Sequence, residues 1–283
     1  MTEKCEREET KGGPPQQTLP PPTQTALIVS TQTHASEHPH FAMDFSQEEL
    51  FEAIDRLIAG MLERAGVTTP PVDALAIAEH HLGIPVEEVD PVEEEEESGR
   101  RRPRVRQPAS GIVLSPAMSD VQRQRVAADG IARVLFSDIL RKLGVTPGSE
   151  SKQFAAQIRS LTVPRLLVPT RLLRSALRDC KYDVLALQAV FTTASIETVA
   201  LRLLDLDDPC VITVVDDGVV AVKRSNRWPV KKKLEAAEQE CVDRIMELDL
   251  PQRTRAAGWT VHGWPVPDRP FRRILLRSVL DDV

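Results

Sequence analysis

This chain has few cysteines and none of them are paired by spacing. Cys5, Cys180, Cys210 and Cys241 stand far apart, with no CxxC among them. That pattern excludes a zinc ribbon and fits free thiols in a reducing compartment better than a disulfide framework. No apolar run reaches the ~18–20 residues of a membrane span. The opening MTEKCEREET has neither the cationic start nor the apolar stretch of a secretory leader. The expected location is therefore the cytoplasm, with no membrane partner. Positive charge is also lacking: the net charge is −6, which offers no general field for nucleic acid. Walker loops, GxSxG elbows, Rossmann fingerprints and internal repeats do not occur.

The chain's 283 residues, 41% of them hydrophobic, can bury a real core. Residues 1–42 are rich in Pro, Gln, Thr and charge, and read as a disordered tail that buries too little to offset chain entropy. Order begins at MDFSQEELFEAIDRLIAGMLERAG. Ser46 and Glu49 form a capping box, Phe45 and Leu50 are placed for a hydrophobic staple, and Gly66 stops the helix. A short helix capped by Asp73 ends at Gly83. IPVEEVD suggests a strand. An acidic run, EEEEE (93–97), then meets a basic one, GRRRPRVR (99–106), as a solvated, self-attracting loop at 91–108. SGIVLS (110–115) reads as a strand. A long helix comes next over 119–143, with Ser119 and Gln122 as a second capping box.

Short helices succeed it, with Thr170, Asp183 and Ser195 as expected caps. CVITVVDDGVVAVK predicts a hairpin turning at Asp217-Gly218. VKKKLEAAEQECVDRIMEL is an amphipathic helix, with Lys231–Lys233 as a solvated flank able to touch phosphate. GWTVHGWPV is extended. FRRILLRSVL leaves strand and helix both open, so the structure of 268–283 is undetermined from the sequence.

Several stretches together resemble the ImmA/IrrE family of bacterial zinc metallopeptidases. PPVDALAIAEHHLGIPV is similar to the family's helix-then-strand opening. SGIVLSPAMSDVQRQRVAADGIARVLF is similar to its strand, arginine-rich approach and catalytic helix. RLLVPTRLL is similar to its leucine-leucine-proline segment. VFTTASIETVALRLLDL and CVITVVDDGVVAVKRSN resemble the later segments of one branch of the family. The resemblance implies an α+β fold. It places a metallopeptidase-like, zincin-like helical domain with a small sheet over 43–180, a helix-turn-helix-like segment over 181–208, and an α+β part holding the hairpin over 209–283.

The family's chemistry rests on HExxH. Two histidines one helical turn apart bind zinc, and the Glu between them activates water. Here the corresponding positions carry Asp129, Gly130 and Arg133. A one-residue shift offers Ala128, Asp129 and Ala132. Where the family places a third ligand, ESKQFAAQIRSL supplies Ala156 or Gln157, with Glu150 and Glu197 as the nearby carboxylates. Zinc takes about four ligands at ~2.0–2.2 Å for N or O, and Arg133 is a permanent cation. No catalytic residue, metal or other cofactor is therefore expected. Asp129 and Arg133, at i and i+4, can instead form an ion pair in place of the metal. The plain alternative is that both are solvated on an exposed face.

Other candidates weigh less. HASEHPH carries His34, Glu37, His38 and His40 inside the expected tail. His80 and His81 face different sides of their helix. His262 stands alone among aromatics and reads as structural. The second helix of the helix-turn-helix-like segment offers one Arg and the acids Glu197 and Asp205, where a DNA-reading helix needs Arg, Lys, Asn or Gln. The leading expectation is a catalytically degenerate regulator that binds a protein partner, for instance a helix-turn-helix repressor. One alternative is an active zinc endopeptidase that cleaves such a repressor with a non-standard ligand set drawn from Asp129, Glu150 and Glu197. Another is a DNA-binding regulator using the helical segment and Arg100–Arg106.

Overall fold

The structure, a computed structural model, describes residues 45–90, 92–94, 102–104, 111–146, 148, 152–267 and 270–281, with the backbone alone at 92–94 and 102–104. The expected tail, its histidines and Glu150 lie outside these residues.

Local signals explain most of the helices. Helix α1 (Gln47–Arg64) starts at Ser46, whose hydroxyl accepts from the Glu49 backbone while the Glu49 carboxylate accepts from the Ser46 backbone. Such a cap stabilises by about 1 kcal/mol. Its inner face buries Ile54, Ile58 and Met61, each contributing roughly 1.5–3 kcal/mol. Asp73 caps α2 (Ala74–Ala76), which continues as a wider turn over Ile77–His81. Helix α3 (Asp120–Lys142) has the second capping box, Ser119 with Gln122. The remaining helices are α4 (Lys152–Leu167), α5 (Thr170–Cys180), α6 (Val184–Val190), α7 (Ile196–Arg202) and α8 (Ala236–Leu248).

Strands β1 (Val86–Glu88) and β4 (Ile112–Leu114) pair in parallel. Between them β2 (Val92–Glu94) and β3 (Arg102–Arg104) pair antiparallel, with Glu94 opposite Arg102. The loop expected at 91–108 thus contains a small three-pair ladder among its described residues. The main sheet holds β5 (Val211–Asp216), β6 (Val219–Ser225), β7 (Gln252–Ala256), β8 (Trp259–Val266) and β9 (Arg273–Leu280). It is antiparallel in the order β6-β5-β9-β8-β7. Asp217 and Gly218, with φ of 48° and 82°, make the primed turn expected between β5 and β6. The segment left open by its sequence is the strand β9, central in the sheet.

The chain is therefore mixed α and β. Its larger core draws residues from all three segments of the sequence-based division, from Leu50 through Phe191 to Leu275. A smaller core, around Cys241, Ile245, Val261 and Leu276, lies under α8. Gly263 makes that seat possible. A Cβ there would meet Ile245 Cδ1 at 2.5 Å and Cys241 Sγ at 2.8 Å, so only glycine lets α8 lie this close to β8.

Two expected boundaries shift. Thr170 is not a cap: Pro169 holds that position, and the Thr170 hydroxyl is engaged elsewhere. Helix α8 begins at Ala236, behind a Glu235–Glu238 capping box, so the three lysines stand before the helix and not in it.

Thr170 belongs to a buried polar network. Arg202, 1% exposed, donates from Nε to the Val168 carbonyl at 3.0 Å and from Nη2 to Thr170 Oγ1 at 2.7 Å. Its Nη1 pairs with Asp205. Thr170 in turn donates to Asp55 Oδ2 at 2.7 Å. Arg165, also buried, reaches Asp205 at 2.8 Å and Asp55 at 3.6 Å, and its guanidinium lies 3.8 Å over the Phe51 ring. Two cations thus meet two carboxylates. Removing one partner of such a set strands a buried charge, at a cost of ~3–5 kcal/mol. Arg202→Met is expected to lower unfolding free energy in urea by that order. A loss under about 1 kcal/mol would show that the network carries no such weight.

Candidate functional site

The stretch expected from the resemblance to hold the degenerate zinc motif is anchored through the start of α3. There, Gln124 Oε1 accepts from the Ala74 and Leu75 backbones at 2.7 and 3.4 Å, and its Nε2 donates to Asp73 at 2.9 Å. Arg123 pairs with Glu88 on β1. These contacts lock α3 to α2 and to the parallel pair. Nothing in the sequence marks Gln124 for this role, because its partner lies about fifty positions away.

Further along the helix, Arg133 Nε lies 3.4 Å from Asp129 Oδ2, with side chains 20% and 40% exposed. The two groups face one another along the helix, with Arg133 Nε and Nη2 sealed from water and the Asp129 carboxylate on the more exposed side. Between them Gly130 is buried against β4. A Cβ at Gly130 would meet Ile112 Cγ1 at 2.5 Å and Cδ1 at 2.7 Å. In the shifted frame, Ala128 and Ala132 are both 0% exposed and lie in the core.

The other candidates are not gathered here. Gln157 is exposed on α4, where its carbonyl accepts from Ser160 Oγ at 2.7 Å. Glu197 sits on α7, and its Oε1 accepts from Arg273 Nη1 at 2.9 Å. Arg273 also grips Asp216 through Nε and Nη2, both at 2.7 Å. Glu197 thus ties α7 to the main sheet. Among the described residues no group of three His, Cys, Asp or Glu is arranged to hold a metal ion. His80 is exposed and His81 half-buried. His262 packs beside Trp264, and burial followed by Arg253 and Arg277 lowers its pKa. Burial also raises the thiols of Cys180 and Cys210, and pushes Cys241 up to about 11. None of the three is an activated nucleophile.

Of the helix-turn-helix-like pair, α6 exposes Leu185 and Ala189, while α7, the second helix, is turned inward. No residue of α7 is exposed, and its arginine is the internal Arg202. A helix with no free face cannot lie in a major groove.

Beside this pair, Lys181 and Tyr182 both adopt positive φ, 48° and 65°, a conformation that costs roughly 1–2 kcal/mol for residues with a Cβ. The turn aims the Tyr182 hydroxyl at Asp208, to which it donates, while Arg277 lies 4.2 Å over the ring.

Both the close approach at Gly130 and the Tyr182 turn can be measured. Gly130→Ala forces Ile112 or the helix to shift, and overpacking of this kind costs ~1–3 kcal/mol; urea unfolding reads the loss directly, and an unchanged midpoint would mean the close approach is absent. Tyr182 is the sole tyrosine of the chain, so tyrosinate absorbance reports it alone. Burial, then the Asp208 carboxylate, push it up to about 12, against about 10 in the unfolded chain. The raised value means its stabilising share is complete below pH ~10 and is lost as pH rises through ~12. Asp208→Asn should bring the absorbance midpoint back toward ~10.

No family model matches the chain, and no curated protein matches it. A solved structure, a Mycobacterium tuberculosis transcriptional regulator, is similar to it at a TM-score of 0.58 and 18% identity, over 84% of this chain and 78% of that one. At this identity the two share a fold.

Proposed function

We propose that this protein is a regulatory component that acts by binding a protein partner, on a zincin-like scaffold of ImmA/IrrE type whose metal position is filled by packing. Gly130 carries the reading. It stands where the resemblance places the water-activating Glu, and the Ile112 side chain occupies the space any larger residue would need. Beside it, Asp129 offers one carboxylate already facing a guanidinium. Zinc takes about four ligands, and a permanent cation next to the donor repels it. The shifted frame offers two buried alanines instead. These residues do not fit zinc in either frame, and they give a hydrolytic step neither its metal nor its base. The fold shared with a transcriptional regulator supports a regulatory role by analogy of architecture. A helix-turn-helix repressor is the partner proposed, with the chain binding it and leaving it intact.

The test is metal content joined to a cleavage assay. Protein purified without chelator is expected to hold far less than one zinc per chain and to melt at the same temperature with and without chelator. Co-expressed with a helix-turn-helix repressor from its own genome neighbourhood, it should yield an intact complex. Stoichiometric zinc that disappears in Asp129→Ala, together with repressor fragments, would establish the peptidase instead.

A further inference from the structure

Charge in this chain is segregated, and a strongly cationic stretch lies on the main sheet. From Gly218 to Leu234 the sequence holds Lys223, Arg224, Arg227, Lys231, Lys232 and Lys233 and no carboxylate. The fold carries this stretch from β6 to the start of α8 around a cavity of about 400 Å³, within the ~300–1,000 Å³ of ligand sites. Trp228 and Trp259 form its walls, their ring centroids 6.0 Å apart and tilted by 59°. Lys231 and Lys233 stand exposed at its rim.

The floor is built from buried charge. Lys223 and Glu238, with side chains 3% and 2% exposed, pair at 2.5 Å. Glu238 also accepts from Thr213, Ser278 and the Glu235 backbone at 3.0, 2.9 and 2.9 Å. Its negative charge is thus consumed inside the protein, and Glu235 is the one exposed carboxylate of the lining. Lys223 donates to Glu238 and to the Lys233 carbonyl at 2.8 Å, which uses two of an ammonium's three donors and pins the lysine-rich strap over the cavity. Among the described residues no carboxylate lies within ion-pair distance of Arg227, Lys231, Lys232 or Lys233.

We propose that this cleft binds single-stranded nucleic acid, with a base stacked on an indole and the adjoining phosphates on Arg227, Lys231 and Lys233. Lysines alone would serve any polyanion. Half-buried indoles among them select one whose charges alternate with flat rings, and a single strand presents those rings where a duplex hides them. The overall charge of −6 does not oppose this, because only charges within about 10 Å are felt strongly at ordinary salt. The site is separate from α3 and stands whether or not the protein also binds a repressor.

Fluorescence anisotropy of a labelled oligothymidylate with the full chain tests it. Three phosphate contacts on a single strand give a salt slope near −2, so affinity should fall roughly 20-fold between about 50 and 200 mM salt. Lys231→Glu with Lys233→Glu should abolish binding. Trp228→Ala should weaken it about fivefold or more, with Trp228→Phe restoring most of it. An abasic chain of equal charge should bind more weakly than the oligothymidylate and should not respond to the tryptophan change. Thermal melting establishes that each variant is folded; if Trp228→Ala is not, the lysine pair and the abasic comparison decide. Absence of binding at about 50 mM salt overturns the proposal. So does polyglutamate binding as tightly as the oligonucleotide, which would mark a surface for acidic proteins. So does loss of binding on replacing Arg100–Arg106 while the lysine variant binds normally.

Discussion

A guanidinium sealed from water organises the helical part of this protein. Arg202 cannot be left without counter-charge, because an unpaired ion in the interior costs several kcal/mol. Its requirements therefore fix where its neighbours go. The Val168 carbonyl closes the α4–α5 junction, Thr170 opens α5, Asp205 comes after α7, and Asp55 enters from α1 through Thr170. Arg165 adds a second cation from α4 and stacks on Phe51. Apolar packing alone would tolerate these helices sliding by fractions of a turn. A set of directional bonds among two arginines, two aspartates and one hydroxyl does not.

The same principle operates on the sheet, where Arg273 joins Asp216 of β5 to Glu197 of α7. Helices and sheet are thus linked by charged groups with matched partners, while leucine, isoleucine and valine fill the space between. On α3 the opposite choice is made. There, glycine brings strand and helix into direct contact, and Asp129 and Arg133 face one another along the helix. Little space is left between this part of α3 and β4.

Much of the fold is legible in the sequence because it is local. Ser46, Asp73, Ser119, Asp183 and Ser195 cap helices as their spacing implies, and Asp217-Gly218 turns the hairpin. The i, i+4 geometry of Asp129 and Arg133 is legible for the same reason. Long-range partners are not. Thr170 looks like a cap in sequence, yet its hydroxyl is claimed by Asp55 and Arg202, 115 and 32 positions away. FRRILLRSVL alternates too little to be told from a helix, since β9 is central and largely buried. No glycine or asparagine announces the left-handed turn at Lys181-Tyr182. The closure around Gly130 depends on Ile112, on another element. The tryptophans and lysines of the cleft are plain in the sequence, but their convergence is made by β8 and by the late start of α8.

The order of the main sheet has a bearing on how the molecule is assembled. β9 comes last along the chain, after β5 to β8, yet it lies between β5 and β8. The hairpins β5–β6 and β7–β8 can each zip locally, on a microsecond scale. Until β9 arrives, each keeps one inner edge with unsatisfied amide and carbonyl groups, the kind of edge that recruits foreign strands. Joining them requires partners as distant as Val211 and Ser278, so completion of the sheet is a non-local and comparatively slow event. During synthesis this part of the protein waits with two sticky seams on show, and chaperone protection would matter most in that interval.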